Sequence, residues 1–110
     1  MKAVANPMHL KKRFLDCQRV ISAIGDETRQ AIIITLLEGE RSGMRVGEIT
    51  ERTHLSRPAV SHHLKILLDA GVISLRRQGT MNFYFLKPKE NEIKKLNLLL
   101  NDISEFHNKY

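Results

Sequence analysis

A mainly α chain of the α+β class, with about five helices and a two-stranded β-hairpin set before the last of them, is what this sequence predicts. Three observations carry that expectation. Residues 55–71 are punctuated as one helix at both ends. Two β-branched and aromatic runs then flank Gly79, and both termini carry apolar residues at alternating spacings of three and four. With 110 residues, 42% of them hydrophobic, the chain has enough for one modest core, so a single domain over residues 1–110 is expected.

Taken in order, residues 1–6 show no periodicity. From there Leu10, Phe14, Cys17, Ile21 and Ile24 alternate steps of four and three, the spacing of a helix–helix seam, which predicts a first helix over 9–24. Gly25 interrupts it, Asp26 is placed to cap a second helix, and Gly39 stops that one. After a polar turn at 40–43, Val46, Ile49 and Thr53 suggest a short third helix over 45–53, with a tight link at His54 and Leu55.

The fourth helix is the most informative stretch. Ser56 suits its N-cap, Pro58 sits where a missing N–H is no loss, and Gly71 suits the left-handed residue that closes a helix. Val60, Leu64, Leu67 and Leu68 form one apolar stripe. Arg57, Ser61, His62 and Lys65 face away from it, with no carboxylate among them. A guanidinium, a hydroxyl, an imidazole and an ammonium are the groups that touch phosphates and base edges in a major groove. With the short helix before it, this makes a helix-turn-helix.

Beyond Gly71, residues 72–77 and 81–86 read as strands joined by a tight turn at Gln78, Gly79 and Thr80, with Arg76 and Arg77 just before the tip. Pro88 closes the second strand, and Glu90 and Glu92 open a last helix over 90–107, where negative charge suits the N-terminal dipole. Its Ile93, Leu96, Leu100 and Ile103 repeat the seam spacing. Two terminal seams exceed what one small core needs. Leu10, Phe14, Cys17 and Ile21, with Ile93, Leu96, Leu100 and Ile103, are therefore expected to meet a second copy across a two-fold axis, setting two reading helices about 34 Å apart.

Charge narrows the partner. The chain is formally +6, and residues 52–89 carry seven basic side chains against one acidic, so the remainder balances. A polyanion fits an excess confined to the fourth helix and hairpin. No apolar run approaches membrane-spanning length and no signal-peptide pattern is present, so a cytoplasmic chain is expected. There is no phosphate-cradling glycine loop, no glycine-flanked nucleophile and no acid pair near the histidines, so neither an enzyme nor a cofactor is expected.

The run LSRPAVSHHLKILLDAGVI resembles the reading helix of the ArsR/SmtB family of bacterial winged helix-turn-helix regulators. GDETRQAIIITLLEGE resembles that family's second helix, with Ile33, Leu36 and Leu37 as core positions, and the basic hairpin resembles its wing. The resemblance implies a winged helix-turn-helix fold and a homodimeric repressor that binds a pseudo-palindromic operator in double-stranded DNA. It implies that Ser56, Arg57, Pro58, Ser61, His62 and Lys65 contact the groove and its flanking phosphates. Arg76, Arg77 and Gln78 would lie along the backbone or minor groove, and His63 would pack against the neighbouring helix.

Many family members also bind a metal, and here the sequence departs from them. RVGEITERTHL lacks the cysteine of one ligand set and KPKENEIKK lacks the histidine of another, so no metal site is expected. His62 and His63 cannot chelate one ion together, because adjacent helical residues point about 100° apart. Two alternatives stand beside the main reading. One is a metal- or thiol-responsive sensor using Cys17 or the terminal His9 and His107, with Asp102 and Glu105 near the latter; the other is a winged-helix protein-interaction module. A seam position often holds a small buried hydrophobe, which favours a packing role for Cys17.

Overall fold

The structure, a computed structural model, describes residues 6–109, without the side chains of His107 and Lys109. The elements run α1 (Pro7–Ile24), α2 (Glu27–Glu38), α3 (Val46–Thr53), α4 (Arg57–Asp69), β1 (Ser74–Gln78), β2 (Met81–Phe85) and α5 (Glu90–Lys109).

Side-chain caps start the first two helices. Asn6 accepts from the His9 N–H at 2.9 Å, with Pro7 opening the first turn, so α1 begins slightly before the expected residue 9. Asp26 accepts from the Arg29 N–H at 2.9 Å, and α2 ends as the Gly39 N–H reaches the Thr35 carbonyl. Within α2 the core positions are Ile32 and Leu36, with Ile33 half-buried, whereas Leu37 is 63% exposed. The expectation for Leu37 is thus corrected. Three consecutive isoleucines cover most of a helical turn, so periodicity cannot choose the buried face, and packing against α3 and α4 selects it.

Helix α3 ends at His54, which takes the left-handed conformation at φ 59° and turns the chain sharply into α4. At the far end of α4, the Gly71 N–H bonds the Leu68 carbonyl and the Val72 N–H bonds the Leu67 carbonyl, both at 3.0 Å, with Gly71 at φ 76°. This is a Schellman closure, and it buries Val72 and Ile73 instead of extending them into a strand. The first strand accordingly begins at Ser74, later than the expected residue 72.

The hairpin is antiparallel, from Ser74 opposite Phe85 to Gln78 opposite Met81, leaving Gly79 and Thr80 as a two-residue turn. One feature has no sequence signature. Met44 and Tyr84 exchange both backbone hydrogen bonds at 2.8 Å, so the segment entering α3 adds a short third rung to the hairpin.

The core joins Val20 and Ala23 of α1, Ile32 and Leu36 of α2, Ile49 of α3, and Val60, Leu64 and Leu67 of α4, closed by Met44, Ala70, Val72 and Ile73. Full burial of each large aliphatic side chain stabilises the fold by roughly 1.5–3 kcal/mol. Helix α5 packs along α1, joined by the Arg13–Asp102 ion pair, and Cys17 and Leu99 are buried where the two meet.

Candidate nucleic-acid interface

The cap at Ser56, whose hydroxyl accepts from the Ala59 N–H at 3.2 Å, fixes where α4 starts and therefore which side chains its faces present. Val60, Leu64 and Leu67 are at most 1% exposed and lock one face onto the core. Arg57, Pro58, Ser61, His62 and Lys65 are exposed. On ideal helix geometry these five span an arc of about 140°. Ser56 is exposed at the head of the same surface. The Arg57 guanidinium lies above Gly47 of α3, with one nitrogen 4.0 Å from where a Cβ there would stand.

The adjacent imidazoles part company. His62 is exposed, while His63 is half-buried with its Nδ1 3.2 Å from Nη1 of Arg29. Their rings meet edge-to-face, with centroids 5.4 Å apart. Arg29 also donates from Nε to the Ala23 carbonyl at 2.8 Å and from Nη2 to the Ser22 carbonyl at 3.1 Å. An arginine following an acidic opening was visible in the sequence, but its partners in α1 and α4 lie too far along the chain for any local pattern to pair them.

On the hairpin, the neighbouring arginines point to opposite faces. Arg77 is exposed. Arg76 is half-buried: it donates to Gln78 Oε1 at 2.8 Å and to the Ser42 carbonyl at 3.0 Å, and its guanidinium lies over Phe83. The structure therefore gives Arg76 an internal bracing role, together with the oxygen of Gln78, that the sequence did not reveal.

The seam residues divide likewise. Cys17 is 2% exposed and covered by the chain's own helices, so it offers no surface to a second copy. Burial, with the Asp16 carboxylate adding to it, pushes the Cys17 thiol above its ordinary pKa, which disfavours the reactive thiolate. Phe14, Ile93 and Leu100 remain 45%, 39% and 56% exposed, while Leu10, Ile21, Leu96 and Ile103 are half-buried.

His9 borders a shallow cleft of about 330 Å³ with Lys12, Arg13 and Asp16, and the His107 side chain lies outside the described residues. Among the described residues no group of three or more histidine, cysteine or acidic side chains is placed to hold a metal ion. None of their helices is long and apolar enough to cross a membrane.

A helix-turn-helix whose second helix turns a carboxylate-free polar face outward, followed by a hairpin carrying an exposed arginine, defines the winged helix-turn-helix class of transcriptional regulators. Comparison with known proteins makes the assignment narrower. The sequence profile described as "Bacterial regulatory protein, arsR family" matches residues 26–74. The transcriptional repressor SdpR of Bacillus subtilis is 43% identical over 67 residues, 61% of this chain and 71% of that protein. The transcriptional activator HlyU of Vibrio cholerae is 32% identical over 88 residues, 80% of this chain and 79% of that protein. The HlyU crystal structure superimposes with a TM-score of 0.61 over 80% of this chain and 92% of that one, at 30% identity. An ArsR-like transcriptional regulator from Rhodococcus gives a TM-score of 0.75 over 90% of this chain and 86% of that one, at 23% identity, a likeness of fold. The chain belongs to the ArsR family of transcriptional regulators.

Proposed function

We propose that this regulator is a homodimeric repressor that reads a pseudo-palindromic operator with α4 and needs no metal to do so. The observation that carries the reading is the row Arg57, Ser61 and Lys65, flanked by Pro58 and His62, exposed on a helix whose opposite face is immobilised in the core. Arg57, Ser61 and His62 read base edges, Pro58 gives apolar contact, and Ser56 and Lys65 meet flanking phosphates. Arg77 grips the backbone beside the groove, and Arg76 and Gln78 hold the wing in the shape that lets it do so.

What supports a homodimer is the apolar surface left open on the terminal helices at Phe14, Ile93 and Leu100, bordered by Leu10, Ile21, Leu96 and Ile103. A two-fold axis through that surface presents two reading helices to successive turns of one DNA face. A location with the DNA, in the cytoplasm, follows from this reading. Thiol sensing is disfavoured by the burial of Cys17.

The test is fluorescence anisotropy of reduced, chelator-treated protein on duplex from its own upstream region and on unrelated duplex, at two salt concentrations. Tight, selective and salt-dependent binding supports the reading. Equal binding to both duplexes in the absence of metal overturns it.

A further inference from the structure

We infer that Arg29 is a positioning residue for DNA reading: it fixes His63 in one tautomer and ties the reading helix to the last turn of α1. This rests on the assignment of α4 as the reading helix.

A guanidinium has donors and no acceptor. At 3.2 Å from Arg29 Nη1, His63 Nδ1 must therefore supply a lone pair, which leaves the ring proton on Nε2. The other arms of the same guanidinium hold the Ala23 and Ser22 carbonyls, two acceptors that the final turn of α1 leaves without intrahelical donors. The guanidinium itself is held from its own helix, because Asp26 Oδ2 accepts the Arg29 N–H at 2.9 Å and lies 3.9 Å from Nη1. The Arg29 side chain is only 13% exposed, so water competes weakly for these bonds.

One planar cation thus spans three helices with no intervening side chain. The His63 ring in turn sets the edge against which the exposed His62 ring rests. A shift at the end of α1, the helix proposed to meet the second copy, reaches the DNA-facing surface of α4 through Arg29. A lysine cannot replace it, since a point ammonium does not reproduce the planar fork that meets these acceptors in fixed directions.

The experiment has two arms. Long-range ¹H–¹⁵N correlation on DNA-free wild-type protein reads the His63 tautomer, and the expected result is a bare Nδ1 with the proton on Nε2. In Arg29→Lys the resonance should move toward a tautomer mixture. The second arm measures the ratio of affinities for upstream and unrelated duplex. His63→Leu keeps bulk and removes the acceptor, and should lower that ratio by about tenfold, the scale of one hydrogen bond to a charged group. His63→Asn places its Oδ1 where Nδ1 stood and should restore the ratio. Thermal unfolding of each variant separates lost positioning from lost folding.

A His63 ring protonated on Nδ1 overturns the inference, as does a folded His63→Leu protein with wild-type selectivity. Failure of the DNA-reading assignment would show separately, as an absence of selectivity in the wild type while the tautomer result stands.

Discussion

The guanidinium carbon of Arg76 sits 4.5 Å from the centre of the Phe83 ring on the paired strand, so a cation from one strand roofs an aromatic from the other. The same side chain reaches Ser42, in the loop before α3. Its neighbour Arg77 points the opposite way and is exposed. Two adjacent arginines therefore have separable roles. Arg77→Ala should weaken binding to all duplexes alike and reduce the salt slope by about one. Arg76→Ala should cost stability of roughly 0.5–1 kcal/mol from the lost ring contact, with a smaller change in salt slope. Titrations at several salt concentrations, set beside urea unfolding, check both.

Arg57→Ala should behave unlike either. As a base-reading side chain it should cost roughly 1–3 kcal/mol on the preferred duplex and relax preference at one position per half-site. Binding measured over a set of single-position operator variants tests this, and a uniform loss across all of them would place Arg57 on phosphate instead.

Gly71 is held at φ 76°, and a Cβ there would stand 3.0 Å from Cγ of Glu92. Gly79 is at φ 63° with nothing within 4 Å of its Cβ position. Alanine in a left-handed conformation costs roughly 1–2 kcal/mol at either site. Gly71→Ala should exceed Gly79→Ala because it also crowds the junction of α4 with α5. Paired denaturation curves decide the order.

Hydrogen bonding from the Arg29 N–H holds the Asp26 carboxyl below its usual pKa, with the positive charges of Arg29 and His63 acting in the same direction. A depressed folded-state value means that its contribution is present above the unfolded pKa, about 3.9, and is lost as pH falls through the folded value. Asp26→Asn also caps a helix well, so its stability at neutral pH should stay near wild type. Its decline below about pH 4 should be shallower. Urea unfolding at a series of pH values provides the comparison.

Cys17 should react with a thiol reagent at least about a hundredfold more slowly in native protein than in urea, as expected of a group reached only through an opening that costs a few kcal/mol. Rapid labelling under native conditions would revive a sensing role for it.

The parts of this fold that were legible in the sequence are those specified locally. Ser56, Pro58 and Gly71 mark α4 because caps act within four residues, and Asp26 and Gly39 bound α2 for the same reason. The exposed row on α4 was legible because the 3.6-residue period separates Val60, Leu64 and Leu67 from Arg57, Ser61 and Lys65. Long-range pairings were not legible. Nothing near Met44 announces Tyr84, nothing near Arg76 announces Ser42, and nothing near Arg29 announces His63, since each contact joins segments that only the folded core brings together. The α2 face failed for a different reason: in a helix apolar on several sides, the neighbours decide that Ile32 goes inward and Leu37 outward.

The Met44–Tyr84 rung has a mechanical consequence. Because the strand that returns from the hairpin tip is stitched to the residue just before α3, the hairpin cannot swing without dragging the helix-turn-helix with it. Under the proposed reading, the two points at which one protomer touches DNA then form a caliper of fixed opening. Such a tool gauges the width between groove and backbone as well as the bases inside. Two operators with identical contacted bases but differently stiff flanks would be told apart by the work needed to bring the DNA to the gauge.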